Sequence, residues 1–317
     1  MRLEVLVMPR GTSRPRLGTR PGLKVLFVNE NVGGHATYHA NLAAALADDT
    51  RLHAHFFNMP PAGLGRRIAG AEIPGLARVD ADLQRVRAVL AASAVHRRHI
   101  RAHLRRHRYD VVHVLSQNAA FMWPDLLREL PSVVALDSTN ELNAYTGFRP
   151  SGALTPVTVR LEQAFERRVY RAATLVAPLS DWAAASLGRM GVPPGKVRVV
   201  PFGVPVTDWD DEATGSAPPG RPEIVFVGRH LSRKGGLLLL DLHARHLADR
   251  CTLTMVTPEP VPPAPGVHVV ADITPGDGRL DAILRRASMF VFPSSMDQSP
   301  NVVLEAMAAA IPVVAFG

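Results

Sequence analysis

Cysteine is all but absent: Cys251 is the one thiol in 317 residues, which excludes an internal disulfide and a multi-cysteine metal site. A chain without disulfides suits a reducing compartment, so a cytoplasmic location is expected. Long apolar runs are missing too, and none reaches the ~18 residues that suggest a transmembrane helix. In the opening stretch, MRLEVLVMPRGTSRPRLGTRPG, most arginines follow the short apolar segment instead of preceding it. That order does not suit a secretory signal. Lysine is scarce, occurring only as Lys24, Lys196 and Lys234. Acids desert one segment: between Arg85 and Arg108 stand eight arginines and four histidines with no Asp or Glu.

What is present describes an ordinary globular protein. Hydrophobic residues make up 47% and charged residues 20%, which excludes wholesale disorder. The length is comfortable for two domains. The formal net charge of +8 points to anionic partners: nucleic acid, an acidic membrane surface or a phosphorylated substrate.

The first ~20 residues read as a basic, Pro/Gly-rich arm, assigned to 1–21. Lys24–Val28 then gives an apolar strand, Asn29–Gly34 a turn, and His39–Leu46 a helix. Strand, glycine loop and helix open a parallel α/β sheet. The alternation continues with strands at Leu52–Phe57, Asp110–Leu115, Ser132–Leu136, Thr174–Ala177 and Val197–Val200. Helices are predicted at Leu83–Arg106, Val157–Ala172 and Asp181–Met190. The acidic, then Ser/Pro/Gly-rich segment around Asp208–Pro222 is the best linker, separating an N-terminal domain (22–207) from a C-terminal one (223–317). The second domain repeats the pattern with strands Glu223–Val227, Thr252–Met255, Val267–Val270, Met289–Phe292 and Val313–Phe316, and a helix at Leu237–Leu247. The fold class is therefore α/β with two Rossmann-like halves. The last strand is expected to lead into a covering helix, since parallel sheets are buried on both faces, so the second domain reads as incomplete.

Three segments carry candidate chemistry, each with a plainer reading beside it. Gly33-Gly34, in the loop after the first strand, lets backbone N–H groups approach a phosphate or sugar, or simply makes a tight turn. In Val227-Gly228-Arg229-His230-Leu231-Ser232-Arg233-Lys234-Gly235-Gly236, Arg229 stands at the mouth of a strand, where open α/β sheets bind ligands. Lys234 opens the next helix, an unfavourable place for a cation unless an anion such as a diphosphate is bound nearby. The alternative is a solvated basic loop. The GxxxxGK[ST] pattern is absent, so this is not a Walker loop. In Phe292-Pro293-Ser294-Ser295-Met296-Asp297-Gln298-Ser299-Pro300-Asn301-Val302-Val303-Leu304-Glu305-Ala306-Met307, a loop carries Asp297 and a helix beginning at Asn301 carries Glu305. That carboxylate lies among apolar neighbours and needs a partner, which ligand hydroxyls can supply. An exposed helix glutamate beside a capping loop is the bland alternative.

Together, and in this order, these segments resemble the GT-B glycosyltransferases of the family-4 type. DQSPNVVLEAMAAAIPVVA is similar to the family's E-x7-E motif, Arg229 and Lys234 match its GR…KG loop, Gly33-Gly34 its N-terminal glycine loop, and VRVVPFGV over Val197–Val204 its segment before the linker. The resemblance implies two Rossmann-like domains facing across a cleft, and transfer of a hexose from a nucleoside-diphosphate sugar, UDP- or GDP-linked, with retention of anomeric configuration. It implies no metal and no cofactor beyond this co-substrate. Arg229 and Lys234 are implied to bind the diphosphate and stabilise the leaving group. Glu305 is implied to hold the ribose hydroxyls, Asp297 to contact the donor sugar, and backbone amides near Asn301 and Val302 to hold sugar and phosphate. Gly33 and Gly34 are implied to let the first domain close on the donor. Two departures stand out. Asp297 replaces the usual glutamate, and Asp137-Ser138-Thr139 occupies the place of the family's histidine, making Asp137 a candidate substitute polar group.

The remaining features have structural expectations. His113 reads as a strand-end structural residue, and Phe121-Met122-Trp123 as core, with lining of an acceptor site as the alternative. The Arg-rich helix and its histidines read as a solvated face. The functional alternative is docking on an anionic leaflet, at the inner membrane face, to reach a lipid-linked acceptor; a sugar or small-molecule acceptor is equally open. Two rival functions remain: a catalytically inactive or truncated partner protein of the same fold, and a nucleic-acid-binding protein resting on that helix. The second lacks interleaved aromatics and a recognition module, so no nucleic acid is expected.

Overall fold

The computed structural model of the chain describes residues 22–30, 35–60, 63–145, 152–204, 220–274, 278–295 and 297–316. The strands are β1 (Leu23–Asn29), β2 (Leu52–Asn58), β3 (Val111–Leu115), β4 (Ser132–Leu136), β5 (Leu175–Pro178), β6 (Glu223–Val227), β7 (Thr252–Val256), β8 (Val267–Val270), β9 (Met289–Phe292) and β10 (Val313–Ala315). The α-helices are α1 (His35–Leu46), α2 (Leu64–Ala69), α3 (Gln84–Arg106), α4 (Pro124–Glu129), α5 (Asn140–Tyr145), α6 (Thr155–Ala172), α7 (Asp181–Arg189), α8 (Gly236–Leu242), α9 (Arg279–Arg286) and α10 (Asn301–Ala308).

The strands form two five-stranded sheets, ordered β2-β1-β3-β4-β5 and β10-β9-β6-β7-β8, and neighbouring strands in both run parallel. Parallel strands covered by helices on both faces need apolar side chains on both faces, which is why Val25–Val28 is a run of buried residues with no alternation. In the first sheet Leu26, Val28, Val114, Val134, Leu136 and Val176 share a core with Ile100 of α3 and Val169 and Tyr170 of α6. In the second, Val225, Phe226, Leu253, Met255, Phe290 and Phe292 pack with Leu239, Ile283, Leu284 and Ala306.

Each sheet has one place where the winding direction reverses. In the first, β1 lies between β2 and β3; in the second, β6 lies between β7 and β9. The loops leaving the two strands at such a switch diverge to opposite faces and open a crevice at their carboxyl ends, where ligands bind in doubly wound sheets. The crevices here are framed by the segments following β1 and β3, and by those following β6 and β9.

Several expectations change. Val197–Val200 is not a strand: Val197 makes a single parallel bridge to Val176. Arg198 and Val200 then donate to the carbonyls of Val176 and Pro178, at 3.0 Å each. With β5 already the sheet edge, these bonds line the segment along it without forming a ladder. The helix predicted at Leu237–Leu247 is α8 followed by a π-helical turn, His243–Leu247. The Arg-rich helix is not solvated along its whole length. Arg85 pairs with Glu162 of α6 at 3.2 Å, Arg97 pairs with Asp125 of α4, and His96 is buried. His113 fits its structural reading, its ring 5.3 Å from that of Phe27 and its pKa driven down to about 4 chiefly by burial. Phe121 and Trp123 are core residues, whereas Met122 is exposed.

Candidate functional site

The second crevice gathers the charged residues of two motifs. After β6 the chain turns through Arg229, whose side chain is exposed, and returns at Lys234 to start α8. Gly235 has φ +78°, and a Cβ there would overlap the carbonyl oxygen of Pro293, the residue following β9. Only glycine permits both the left-handed backbone and this approach. The close packing brings the two loops together, with Ser294 Oγ donating to the Arg233 carbonyl at 3.3 Å. Lys234 consequently forms an ion pair with Asp297, each side chain only 16% exposed.

Two cations, Arg233 and Lys234, stand side by side in this crevice. Burial, and the Arg233 guanidinium next to it, push Lys234 down to about 8. Burial also lowers Arg233. Lys234 lies 5.3 Å from the centroid of the Phe292 ring, in cation–π range. Further along, Asn301 and Val302 open α10, with Asn301 Oδ1 buried and finding no hydrogen-bond partner among the described residues. Glu305, one turn on, is half-buried, and burial raises its carboxyl above the ordinary value. A desolvated carboxyl and a buried amide oxygen on one short helix are acceptors that ligand donors can satisfy.

The first crevice holds a second charged group. Gly33 and Gly34 lie outside the described residues, but His35, the residue after them, sits between two acids. Its ring lies 3.5 Å from Glu30, which follows β1, and 3.8 Å from Asp137, which follows β4. Burial opposes a charged imidazole, yet the neighbouring Asp137 and Glu30 carboxylates outweigh it and lift His35 to about 10. For Asp137, burial likewise opposes ionisation. The interaction with His35 and the N–H groups of Ser138 and Asp137 itself prevail and hold the carboxyl below its ordinary value. Ser116, following β3, donates to Glu30 Oε1 at 2.9 Å.

The segment behind Asp137 is held by a buried polar frame. Gln117 Nε2 donates to the Ser138 carbonyl at 2.9 Å and to Glu166 Oε1 at 3.0 Å. The Asn140 N–H donates to the same Glu166 oxygen at 2.9 Å, and Arg85 donates to Asn140 Oδ1 at 2.9 Å. Burial pushes Glu166 up to about 7. The two crevices are linked through Asn143, whose Oδ1 accepts from Ser138 Oγ at 2.9 Å and from Gln298 Nε2 at 3.0 Å.

Of the residues singled out from sequence, Lys234 and Asp297 meet directly, Asn301, Val302 and Glu305 share one helix, and Asp137 belongs to the other crevice. Glu30, His35, Arg233 and Asn143 escaped the sequence reading. Only Glu30 carried a positional signal, a polar residue just beyond the carboxyl end of β1; His35 opens α1, Arg233 lies in the loop before α8, and Asn143 lies within α5. Among the described residues no group of three or more His, Cys, Asp or Glu side chains is placed to hold a metal ion.

With this geometry in place, comparison with known proteins decides the family. The chain matches the Glycosyl transferase 4-like domain over residues 33–203 and the Glycosyl transferases group 1 domain over 221–317. The chain belongs to the glycosyltransferases. It is 28% identical over 173 residues to the putative colanic acid biosynthesis glycosyltransferase WcaL of Salmonella typhimurium, a match covering 47% of this chain and 40% of that relative. The matched part thus spans less than half of the relative's own length. Among solved structures, sucrose-phosphate synthase from Thermosynechococcus elongatus superposes with a TM-score of 0.59 at 18% identity, covering 92% of this chain and 81% of that one. HepE from Anabaena, in complex with UDP and glucose, gives 0.54 at 14% identity, covering 92% and 80%. The α,α-trehalose-phosphate synthase (UDP-forming) of Burkholderia vietnamiensis gives 0.57 at 13% identity, covering 92% and 83%. At these identities the likeness is one of fold, the GT-B arrangement of this glycosyltransferase's two parallel sheets.

Proposed function

We propose that this glycosyltransferase transfers a hexose from a nucleoside-diphosphate sugar to an acceptor hydroxyl, without a metal and with retention of anomeric configuration. The observation that carries the proposal is the half-buried Lys234 ammonium at the β6/β9 switch point, beside Arg233 and against the loop of Asp297. Two adjacent, partly desolvated cations with one carboxylate beside them attract further negative charge, which a diphosphate supplies. Lys234 and Arg229 bind the diphosphate and stabilise the charge that develops on it as the sugar departs, the electrostatic task a metal performs elsewhere. Asn301, Val302 and the start of α10 hold the phosphate and sugar, Glu305 accepts from the ribose hydroxyls, and Asp297 contacts the donor sugar. Asp137 faces the transferred sugar from the first sheet. Gly33 and Gly34 give the first domain the close approach it needs to cover the donor.

UDP or GDP is the expected nucleotide, UDP being the one bound in the HepE structures. The acceptor is a sugar, a lipid-linked intermediate or another small molecule. Peripheral contact with an anionic leaflet, on the cytoplasmic side, belongs to the same reading. It draws support from exposed Arg98, Arg101, Arg105, Arg106 and Arg108 on and just after the C-terminal half of α3, and from exposed Leu64 and Ile68 on α2. No helix among the described residues is long and apolar enough to cross a membrane.

The direct test is donor turnover. Incubation of the chain with UDP- and GDP-hexoses, followed by NMR, should show release of the nucleoside diphosphate and a product whose anomeric configuration matches the donor. Lys234→Ala should lose the reaction. Turnover that proceeds equally well in the variant, or a product of inverted configuration, contradicts the proposal.

A further inference from the structure

Glu30, His35 and Asp137 come from three separate segments and meet at the carboxyl end of the first sheet. The His35 and Glu30 side chains are 14% and 17% exposed, whereas Asp137 is 38% exposed. The imidazole is thus enclosed between two acids, and the Asp137 carboxylate is the member of the cluster that retains an open side. The other polar or titratable groups facing this cluster are Ser116 on Glu30, His96 of α3, which feels the Glu30 charge, and Tyr170 of α6, which feels that of Asp137. Asn29 Nδ2 donates to the His35 carbonyl at 3.2 Å, anchoring the start of α1.

A carboxylate paired with an imidazolium is a weak base, because the neighbouring cation stabilises its ionised form. It remains a strong hydrogen-bond acceptor, and an imidazole 3.8 Å away leaves its lone pairs open to other donors. An enclosed partner also locks the carboxylate rotamer, and a donor sugar presents hydroxyls to such an acceptor. We propose that His35, held between Glu30 and Asp137, is a positioning residue that fixes the Asp137 carboxylate as a hydrogen-bond acceptor for a hydroxyl of the transferred sugar. Asp137 accordingly orients the sugar and takes no proton from the acceptor. Glu30 holds the ring from its other side. This inference rests on the nucleoside-diphosphate-sugar reading for its substrate, and its test separates the two.

The full chain and its His35→Gln, Asp137→Asn and doubly substituted variants are compared in three measurements. UDP binding, by calorimetry, should stay within about two-fold in all variants, because the diphosphate contacts lie in the other crevice. UDP-glucose hydrolysis should fall by about 10- to 100-fold in each single variant, and the double variant should be no worse than the poorer single one, as expected of residues acting as a unit. The acid limb of the hydrolysis profile should move up by about one pH unit in His35→Gln, where Asp137 loses the cation that keeps it ionised. Histidine NMR on the nucleotide-free chain should find the His35 imidazole still protonated beyond pH 8, with Asp137→Asn lowering its titration.

An imidazole that titrates near 6.5 in the unaltered chain overturns the pairing. Hydrolysis unchanged in His35→Gln, losses that multiply in the double variant, or an unmoved acid limb overturn the positioning role. Failure of the unaltered chain to bind UDP or GDP overturns the donor reading instead, and the imidazole titration still decides the pairing.

Discussion

Gln298 Nε2 donates to Asn143 Oδ1 at 3.0 Å, so a loop at the mouth of the second sheet touches a helix that follows the first. The same Asn143 oxygen accepts from Ser138 Oγ. Asp137 and Asp297, the neighbours of Ser138 and Gln298 in sequence, are therefore linked across the chain by two hydrogen bonds meeting on one amide. If the link is cooperative, its members should not behave independently. A double-mutant cycle of Asn143→Ala and Gln298→Ala, read by urea unfolding, is expected to give a coupling of about 0.5–1.5 kcal/mol. A coupling of zero would place the two side chains apart in solution.

Gly235 is the hinge on which the second crevice depends. Its backbone lies at φ +78°, and an added methyl group would overlap the Pro293 carbonyl oxygen. Gly235→Ala should cost at least about 2 kcal/mol of stability, since strain and backbone displacement act together. Gly195, with nothing near its would-be Cβ and no positive φ, is the control. Its substitution by Ala should change stability by less than about 0.5 kcal/mol. Equal behaviour in the two denaturation curves would dismiss the packing described for the Lys234 loop.

The ribose assignment of Glu305 separates nucleoside binding from diphosphate binding. Loss of its hydrogen bonds in Glu305→Ala should weaken UDP by about 10-fold, within the range for hydrogen bonds to a charged group. Inorganic pyrophosphate should bind as before. Competition calorimetry checks both, and an equal loss for the two ligands would remove Glu305 from the ribose.

Two groups with raised pKa values both predict stability that falls as pH rises, each in its own window. His35 has a folded pKa raised to about 10, so its contribution to stability is complete below the unfolded value of 6.5 and is lost as pH rises through about 10. The stability advantage of the unaltered chain over His35→Gln should therefore shrink between pH 6.5 and 10. Glu166 has its pKa raised to about 7. The folded chain holds that proton while the unfolded chain releases it from about 4.5, so stability falls as pH rises across this interval. Glu166→Gln carries no such loss and should gain on the unaltered chain from pH 4.5 to 7. Denaturant melts at several pH values test both slopes.

The strands were legible because parallel sheets demand continuous apolar runs. Val25–Val28, Val112–Leu115 and Val225–Val227 announce themselves by composition alone, and the helices between them require the crossovers of a doubly wound fold. Lys234, Asp297 and Glu305 were legible because each is a charged residue in a place that local rules disfavour or leave unexplained. The ion pair between Lys234 and Asp297 was not, since it depends on Gly235 meeting Pro293 across two strands. The Glu30–His35–Asp137 cluster was hidden for the same reason: no local pattern shows that the ends of β1 and β4 converge on one imidazole. The Arg-rich helix misled in part, because Arg85 and Arg97 find their acids on α6 and α4, far along the chain. Val197–Val200 has the composition of a strand, but only one bridge joins it to the edge of the sheet.

The most direct test of the central claim is calorimetric titration of UDP and of GDP into the intact chain and into Lys234→Ala. A diphosphate site at the β6/β9 switch point predicts that one of the two nucleotides binds the unaltered chain, and that the substitution weakens it by at least about 10-fold, the scale of one charge-assisted hydrogen bond. A folded chain that binds neither nucleotide, or a variant that binds as tightly as its parent, would contradict it.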